Sequence, residues 1–279
     1  MKGLNIEVGE EKIYALEKKF SLAEAEKKVL DNRVKAFGML SKLILRPKED
    51  EISITYSEQR YEPFWHVLCT AHIEYSISKD YKIDVERQVI TSKVGSENFS
   101  TSSGKLILPA VEQCMEEFKK EEFIDAHSNK KAKYSKYIGY TKKELRETEE
   151  LMVDDVIVVP AKVKASMITR SMLSELIKPV KADEINCEKI RIDKLNLYFR
   201  PVYAFELLWK PKDKKTVVEV DGLTGELTSG RAIRQKLKEV FSETDLFELG
   251  SDAVDIFVPG GGIALRLARG VIKKKSKRS

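Results

Sequence analysis

Met172-Leu173-Ser174-Glu175-Leu176-Ile177, then Asp183-Glu184-Ile185, then Phe199-Arg200-Pro201-Val202-Tyr203: this is the stretch whose reading decides the fold. An earlier stretch echoes it. Met39-Leu40-Ser41-Lys42-Leu43-Ile44 is followed by Asp50-Glu51-Ile52 and then by Tyr61-Glu62-Pro63-Phe64-Trp65. Each copy runs from an apolar helical segment through a polar break to an aromatic strand. Each strand carries a proline near its start, where a missing N–H is tolerated. The echo reads as an internal duplication. It predicts an α+β fold made of two duplicated helix-plus-antiparallel-sheet units, with a helical bridge and a helical C-terminal tail.

Periodicity places the elements. Ser21 and Glu24 form a capping-box pattern, and Leu22, Ala25, Val29, Leu30, Val34, Phe37, Leu40 and Leu43 recur at helical spacing up to Pro47. Residues 51–56 alternate polar and apolar, Phe64 to Tyr75 alternate again, and Tyr81 to Thr91 alternate a third time, which predicts a three-stranded meander. Pro109 suits the first turn of a helix through Asp125, with Val111, Cys114, Met115 and Phe118 turned inward. A second helix is predicted through Val163, Met167, Leu173, Leu176 and Ile177, followed by strands at 189–193, 201–209 and 216–220. The resulting boundaries are 1–20 for an N-terminal lead-in, 21–104 for the first α+β unit and 105–155 for a helical, charged bridge. The second α+β unit takes 156–230, and 231–279 is a helical C-terminal segment with a basic tail.

Thr216-Val217-Val218-Glu219-Val220-Asp221-Gly222-Leu223-Thr224-Gly225-Glu226-Leu227 is a valine-rich strand closing on a turn. Asp221-Gly222 and Gly225 offer positions for positive φ, and Asp221 and Thr224 have side chains that bond turn amides. This segment resembles the strand-turn signature of PepSY-like repeats, which are related to cystatin-like folds. The resemblance lies mainly in residues 172–227, with a diverged internal copy at 22–91. It implies a helix followed by antiparallel strands, and a role in binding or inhibition more than in catalysis.

Composition sets the frame for function. The chain has 279 residues, 42% hydrophobic and 34% charged, which is enough for a core under a densely charged surface. A net charge of +5 decides little about partners, but the last seven residues hold five Lys or Arg. Three scattered cysteines, Cys69, Cys114 and Cys187, make no disulfide framework. The N-terminus is polar, and no run of apolar residues is long enough to span a bilayer. A cytoplasmic protein with no transmembrane segment is the expectation.

No Gly-x-Ser-x-Gly, Walker loop or His-Glu-x-x-His occurs. No catalytic residue and no cofactor is therefore assigned. His66 and His72 share one face of a strand and Cys69 takes the other; His66 and His72 would sit roughly 20 Å apart at the usual strand rise, which does not make one tetrahedral site. Gly260-Gly261-Gly262 lacks the Lys-Ser/Thr of a phosphate loop and reads as a hinge. The aromatic strands offer a candidate binding surface at Tyr61, Trp65, Tyr203 and Trp209, although such rings also build cores. Lysines 130–143 interleave with Tyr134, Tyr137 and Tyr140, which reads as a linker or as a strand-following nucleic-acid surface. The tail offers candidate anion contacts at Arg266, Arg269, Lys273, Lys274, Lys275, Lys277 and Arg278.

These observations order the functional readings. First comes a non-enzymatic binding or assembly module with a protein partner or self-association. Next comes an accessory protein of nucleic acid or an anionic membrane, acting through the tail. Last comes a metal-dependent enzyme at the His66/His72 strand face.

Overall fold

The structure is a computed structural model and describes residues 4–37, 47–152 and 155–229. Its strands are β1 (Asn5–Val8), β2 (Glu11–Leu16), β3 (Ile52–Asp84), β4 (Thr91–Val94), β5 (Glu97–Ser102), β6 (Lys105–Asp125), β7 (Lys142–Leu145), β8 (Val156–Val158), β9 (Glu184–Trp209), β10 (Lys214–Asp221) and β11 (Leu227–Ser229). Two α-helices accompany them among the described residues, α1 (Leu22–Ala36) and α2 (Ala165–Leu176).

This architecture corrects the expected fold class. Of the described residues, 55% are in strands and 19% in helices, and the strands form one mixed sheet of 11. Among the described residues there is no pair of duplicated helix-plus-antiparallel-sheet units and no helical bridge. The echoed aromatic segments lie on β3 and β9, which are neighbours in a single sheet. Met39 to Ile44 of the echo, and the whole predicted helical tail, lie outside the described residues.

Two local corrections explain the larger one. The expected meander of 52–91 is continuous strand from Ile52 to Asp84. Its polar interruption at Ser78-Lys79-Asp80 is held from neighbouring strands: the Asp183 carboxylate accepts from the Ser78 amide at 2.5 Å, and Lys79 pairs with Glu112 at 2.9 Å. The expected helix of 109–125 is β6. Its sequence satisfies a helical period and a period of two equally well, and cross-strand partners choose the second. Glu116 accepts from the Tyr75 hydroxyl at 2.7 Å, and Glu112 accepts from that of Tyr81.

Other elements match the expectation. The Ser21 hydroxyl accepts from the Glu24 amide at 3.3 Å while the Glu24 carboxylate accepts from the Ser21 amide at 2.7 Å, so both donors at the start of α1 are satisfied. The turn after β10 is built by Asp221, whose carboxylate accepts from the Leu223 and Thr224 amides at 2.9 and 3.0 Å. Gly225 takes φ of 68° there. Gly222 does not use positive φ; its role is close approach, since an added Cβ would meet Pro201 at 3.0 Å.

The described chain divides into two compact units, interleaved in sequence. The larger unit holds residues 9–68, 121–168 and those from 194 onward. In it β9 pairs with β3 on one side; on the other it pairs antiparallel with β10, from Val202↔Asp221 to Trp209↔Lys214, and parallel with β2. β7 extends the sheet from β2, and β8 pairs with β3 at residues 59–61. α1 turns Ala25 and Val29, four residues apart, onto Tyr203, Phe205, Leu207, Trp209, Val218 and Val220. Each large apolar side chain fully buried on this face contributes about 1.5–3 kcal/mol to the unit's stability.

The smaller unit holds residues 1–8, 69–120 and 169–193. Its strand order is β1–β9–β3–β6–β5–β4, with β1 parallel to β9 at Asn5↔Lys189 through Val8↔Ile192. Its buried apolar side chains are Cys69, Ala71 and Ile73 of β3, Leu106 of β6, Ile190 and Ile192 of β9, and Met172 and Leu176 of α2.

Candidate functional site

Of the four aromatic residues singled out as a binding surface, three are interior. Trp65, Tyr203 and Trp209 are buried, and Tyr61 is half-buried. Their polar atoms are taken within the larger unit. Trp65 Nε1 donates to the Val163 carbonyl at 2.8 Å, Trp209 Nε1 donates to the Glu51 carboxylate at 3.0 Å, and the Tyr203 hydroxyl donates to the Phe20 carbonyl. These rings build the core, as large aromatics with a satisfied polar tip do.

The same unit holds an ionic cluster that the sequence reading did not single out. Glu58, Arg60 and Glu62 alternate along β3, so their side chains share a face. Arg60 is 4% exposed and contacts Glu58 at 3.1 Å, Glu62 at 2.9 Å and the Glu219 carboxylate of β10. Arg200 of β9 continues the chain of charges to Glu62 and, at 3.2 Å, to Asp221. The Tyr137 hydroxyl donates to Asp221, and the rings of Tyr134 and Tyr137 lie 5.4 and 5.8 Å from the Arg200 guanidinium.

Burial alone would lower the Arg60 pKa; Glu62, Glu219 and Glu58 outweigh it and hold it above its ordinary value. Burial works the same way on Arg200 and is outweighed by Glu62, Tyr134, Tyr137 and Asp221. Burial and the bond to Asp221 push the Tyr137 phenol up. Every group named here is engaged by another member, which makes the cluster a clasp joining β3, β9, β10 and the 134–140 segment.

That placement also answers for the lysine-rich segment. Tyr134 and Tyr137 turn inward onto Phe64, with ring centroids 4.8 and 6.0 Å away. Lys131, Lys136 and Lys143 pair with Glu122, Glu226 and Glu150. Lys142 lies over Tyr14 and Tyr198, and Lys19 over Tyr140.

The two histidines fall in different units. His66 is buried, with Nε2 2.7 Å from Glu121 and its ring stacked on Phe123 at 4.6 Å. Burial lowers its pKa; Glu121 opposes this, and Lys194 and Lys142 reinforce it. His72 is partly exposed between Glu74 at 3.0 Å and Glu117 at 3.3 Å, whose bonds raise its pKa. Among the described residues no three His, Cys, Asp or Glu side chains are grouped to hold a metal ion. The metal reading therefore receives no further support.

The smaller unit supplies a different kind of surface. Along β6, every odd-numbered residue from Lys105 to Glu117 is exposed. Val111 is 62% exposed, Met115 64% and Ile107 46%. The even-numbered side chains face the other way, where Lys120 pairs with Glu175 of α2, Glu116 with Tyr75, and Glu112 with Tyr81 and Lys79. The odd face is therefore the side away from α2, and it places three aliphatic side chains in a row against solvent. The sequence reading turned Val111 and Met115 inward on a helix; their spacing of four with Ile107 fits a helix face as well as a strand face, so the sequence alone carries no signal for the stripe.

The tail residues Arg266, Arg269, Lys273, Lys274, Lys275, Lys277 and Arg278 lie outside the described residues. No helix among the described residues is long and apolar enough to cross a membrane. Comparisons with protein-family models, with curated proteins and with solved structures return no match to this chain.

Proposed function

We propose that the protein is a non-enzymatic binding or assembly module that docks a protein partner on the odd face of β6. The observation that carries this reading is the row Ile107, Val111 and Met115, exposed on a regular strand whose opposite face is engaged by its own chain. Exposed aliphatic side chains in line on a sheet face mark interaction surfaces more often than scattered single ones do. The buried ionic clasp supports the same reading, because its charges are spent on one another and not displayed to a substrate. Cross-linking followed by affinity capture from the source cells tests it, with wild type and a Val111→Glu/Met115→Glu variant side by side. A partner cross-linked within residues 105–117 of wild type and lost from the folded variant is the expected result. An unchanged set of captured proteins refutes it.

A second reading rests on the sequence of the tail, with five Lys or Arg in its last seven residues. It predicts salt-sensitive binding to nucleic acid or to acidic vesicles that disappears when residues 271–279 are removed. Binding that survives the truncation excludes the tail as its cause.

A further inference from the structure

We infer that the occupant of the β6 face is a second copy of this chain, docked antiparallel about a two-fold axis that passes Val111. The inference rests on the docking reading above and adds the identity of the partner. Its ground is the self-complementary order of the exposed face: Lys105, Ile107, Pro109, Val111, Gln113, Met115, Glu117.

A two-fold contact is isologous, so each residue must suit its mirror position about the axis. Centred on Val111, the axis sets Val111 against Val111 of the partner subunit and Ile107 against Met115 of the partner subunit. One step further out it sets Lys105 against Glu117 of the partner subunit. Between these pairs Pro109 faces Gln113 of the partner subunit, a side chain that accepts from Asn186 of its own chain at 3.3 Å; the other pairs set apolar against apolar near the axis and cation against anion at both ends. Sheets that stack face to face lie about 10 Å apart with strands within about 30° of alignment, a distance that aliphatic side chains from two faces fill.

Neither end charge is locked in its own chain. Lys105 is half exposed beside Asp84 at 3.7 Å, and the Glu117 side chain is 71% exposed beside His72 at 3.3 Å. Each can turn to a partner subunit at little cost, since exposed pairs are worth about 0–1 kcal/mol. One strand's face is smaller than the roughly 800 Å² per partner of a standard stable interface, so the dimer belongs to the weak, concentration-dependent class.

The test is sedimentation of the full chain over a hundredfold range of concentration, at low and high salt. Wild type is expected to pass from monomer to dimer, with the midpoint shifted to higher concentration by salt. Val111→Glu, which sets two carboxylates at the axis, is expected to stay monomeric throughout. Lys105→Glu is expected to weaken dimerisation about tenfold, and Lys105→Glu/Glu117→Lys to restore it, because exchanging both charges regenerates the pair. The charge exchange sits wholly on the surface and does not depend on how Val111→Glu folds.

Val111→Cys is expected to cross-link to the same position of the partner subunit with a short bis-maleimide, which spans the roughly 10 Å between stacked sheets, beyond anything given by the native cysteines. A wild-type chain that stays monomeric overturns the inference, whether residues 230–279 or another protein take the face. So does a dimer that Val111→Glu leaves intact, or a charge exchange that fails to restore association. If the chain is monomeric yet Val111→Glu/Met115→Glu still loses a captured partner, the docking reading stands and only the second copy is wrong.

Discussion

Replacing Arg60 by Met removes one cation from among three carboxylates and leaves the aliphatic volume nearly filled. Glu58 and Glu219 have side chains only 2% and 8% exposed, so water cannot take over from the guanidinium; Glu62 is 22% exposed and keeps Arg200. Breaking a buried pair by removing one partner costs about 3–5 kcal/mol, and two buried carboxylates losing one cation belong at the upper end. Urea unfolding at pH 7 reads this directly, because both tryptophans of the chain, Trp65 and Trp209, are buried in the same unit. At about 2–4 °C per kcal/mol for a chain of this size, Tm falls by roughly 6–20 °C. Changing Glu58 and Glu219 to Leu in the Arg60→Met background is expected to return most of the stability, since an apolar replacement strands no charge. A loss below about 1 kcal/mol, or a triple variant no more stable than Arg60→Met, refutes the clasp as a set of mutually dependent charges.

Gly225→Ala is expected to destabilise by more than about 1 kcal/mol in urea unfolding, because φ is 68° and the new Cβ meets Phe20 at 2.8 Å. Gly139→Ala, with nothing within 4 Å of the added methyl, is expected to be neutral or to stabilise by about 0.4–1 kcal/mol in the same assay. Ser21→Ala breaks the capping box and is expected to cost about 1 kcal/mol, with slower-protected amides in the first turn of α1 exchanging faster with deuterium. His66 and His72 are expected to bend the pH dependence of stability in opposite directions. The folded pKa of His66 is depressed below 6.5, so the unfolded chain binds the proton first; its contribution is whole above about pH 6.5 and is lost as pH falls from there towards the folded pKa. The folded pKa of His72 is raised, so its contribution is whole below about pH 6.5 and is lost as pH rises through the folded pKa. Urea midpoints from pH 5 to 8 for wild type, His66→Phe and His72→Gln separate the two, and a His66→Phe curve parallel to wild type refutes the first.

What was legible in the sequence was local. The capping box at Ser21 and Glu24, the 3–4 spacing through Met172 and Leu176 and the Asp221 turn are decided within one or two turns of chain, and each appears where it was read, whereas Pro63 and Pro201, read as opening their strands, lie inside β3 and β9. What was not legible was decided elsewhere in the chain. The charges Glu58, Arg60 and Glu62 alternate as an exposed strand face would, and nothing nearby says that Glu219, 159 residues from Arg60, and Arg200, 138 from Glu62, close over them. Leu106 to Phe118 fits two periods, and partners distant in sequence, among them Tyr75, Lys79 and Tyr81 of β3, select the strand. The duplication misled for a related reason. Two echoed aromatic strands predict two sheets only if each pairs with its own neighbours, whereas β3 and β9 pair with each other.

The same distinction bears on what the open face of β6 is for. An exposed aliphatic strand face is a hazard, since short apolar segments of low charge stack into fibrils. Residues 107–115 do not make such a segment: Pro109 withholds an amide, Gln113 divides the stripe, and Lys105 and Glu117 bound it with charge on the same face. Those residues are the usual guards against indiscriminate pairing. If selection had acted only against aggregation, Val111 and Met115 are the positions at which a polar residue would cost the fold least, because they contribute nothing to the buried side of the strand. Guards kept beside an apolar stripe that could have been made polar without loss are the arrangement expected of a surface that must meet one partner and refuse others. A Val111→Thr/Met115→Gln variant therefore ought to unfold at the same urea concentration as wild type, within about 0.5 kcal/mol, while losing association. A clear loss of stability would mean that the stripe serves the fold after all.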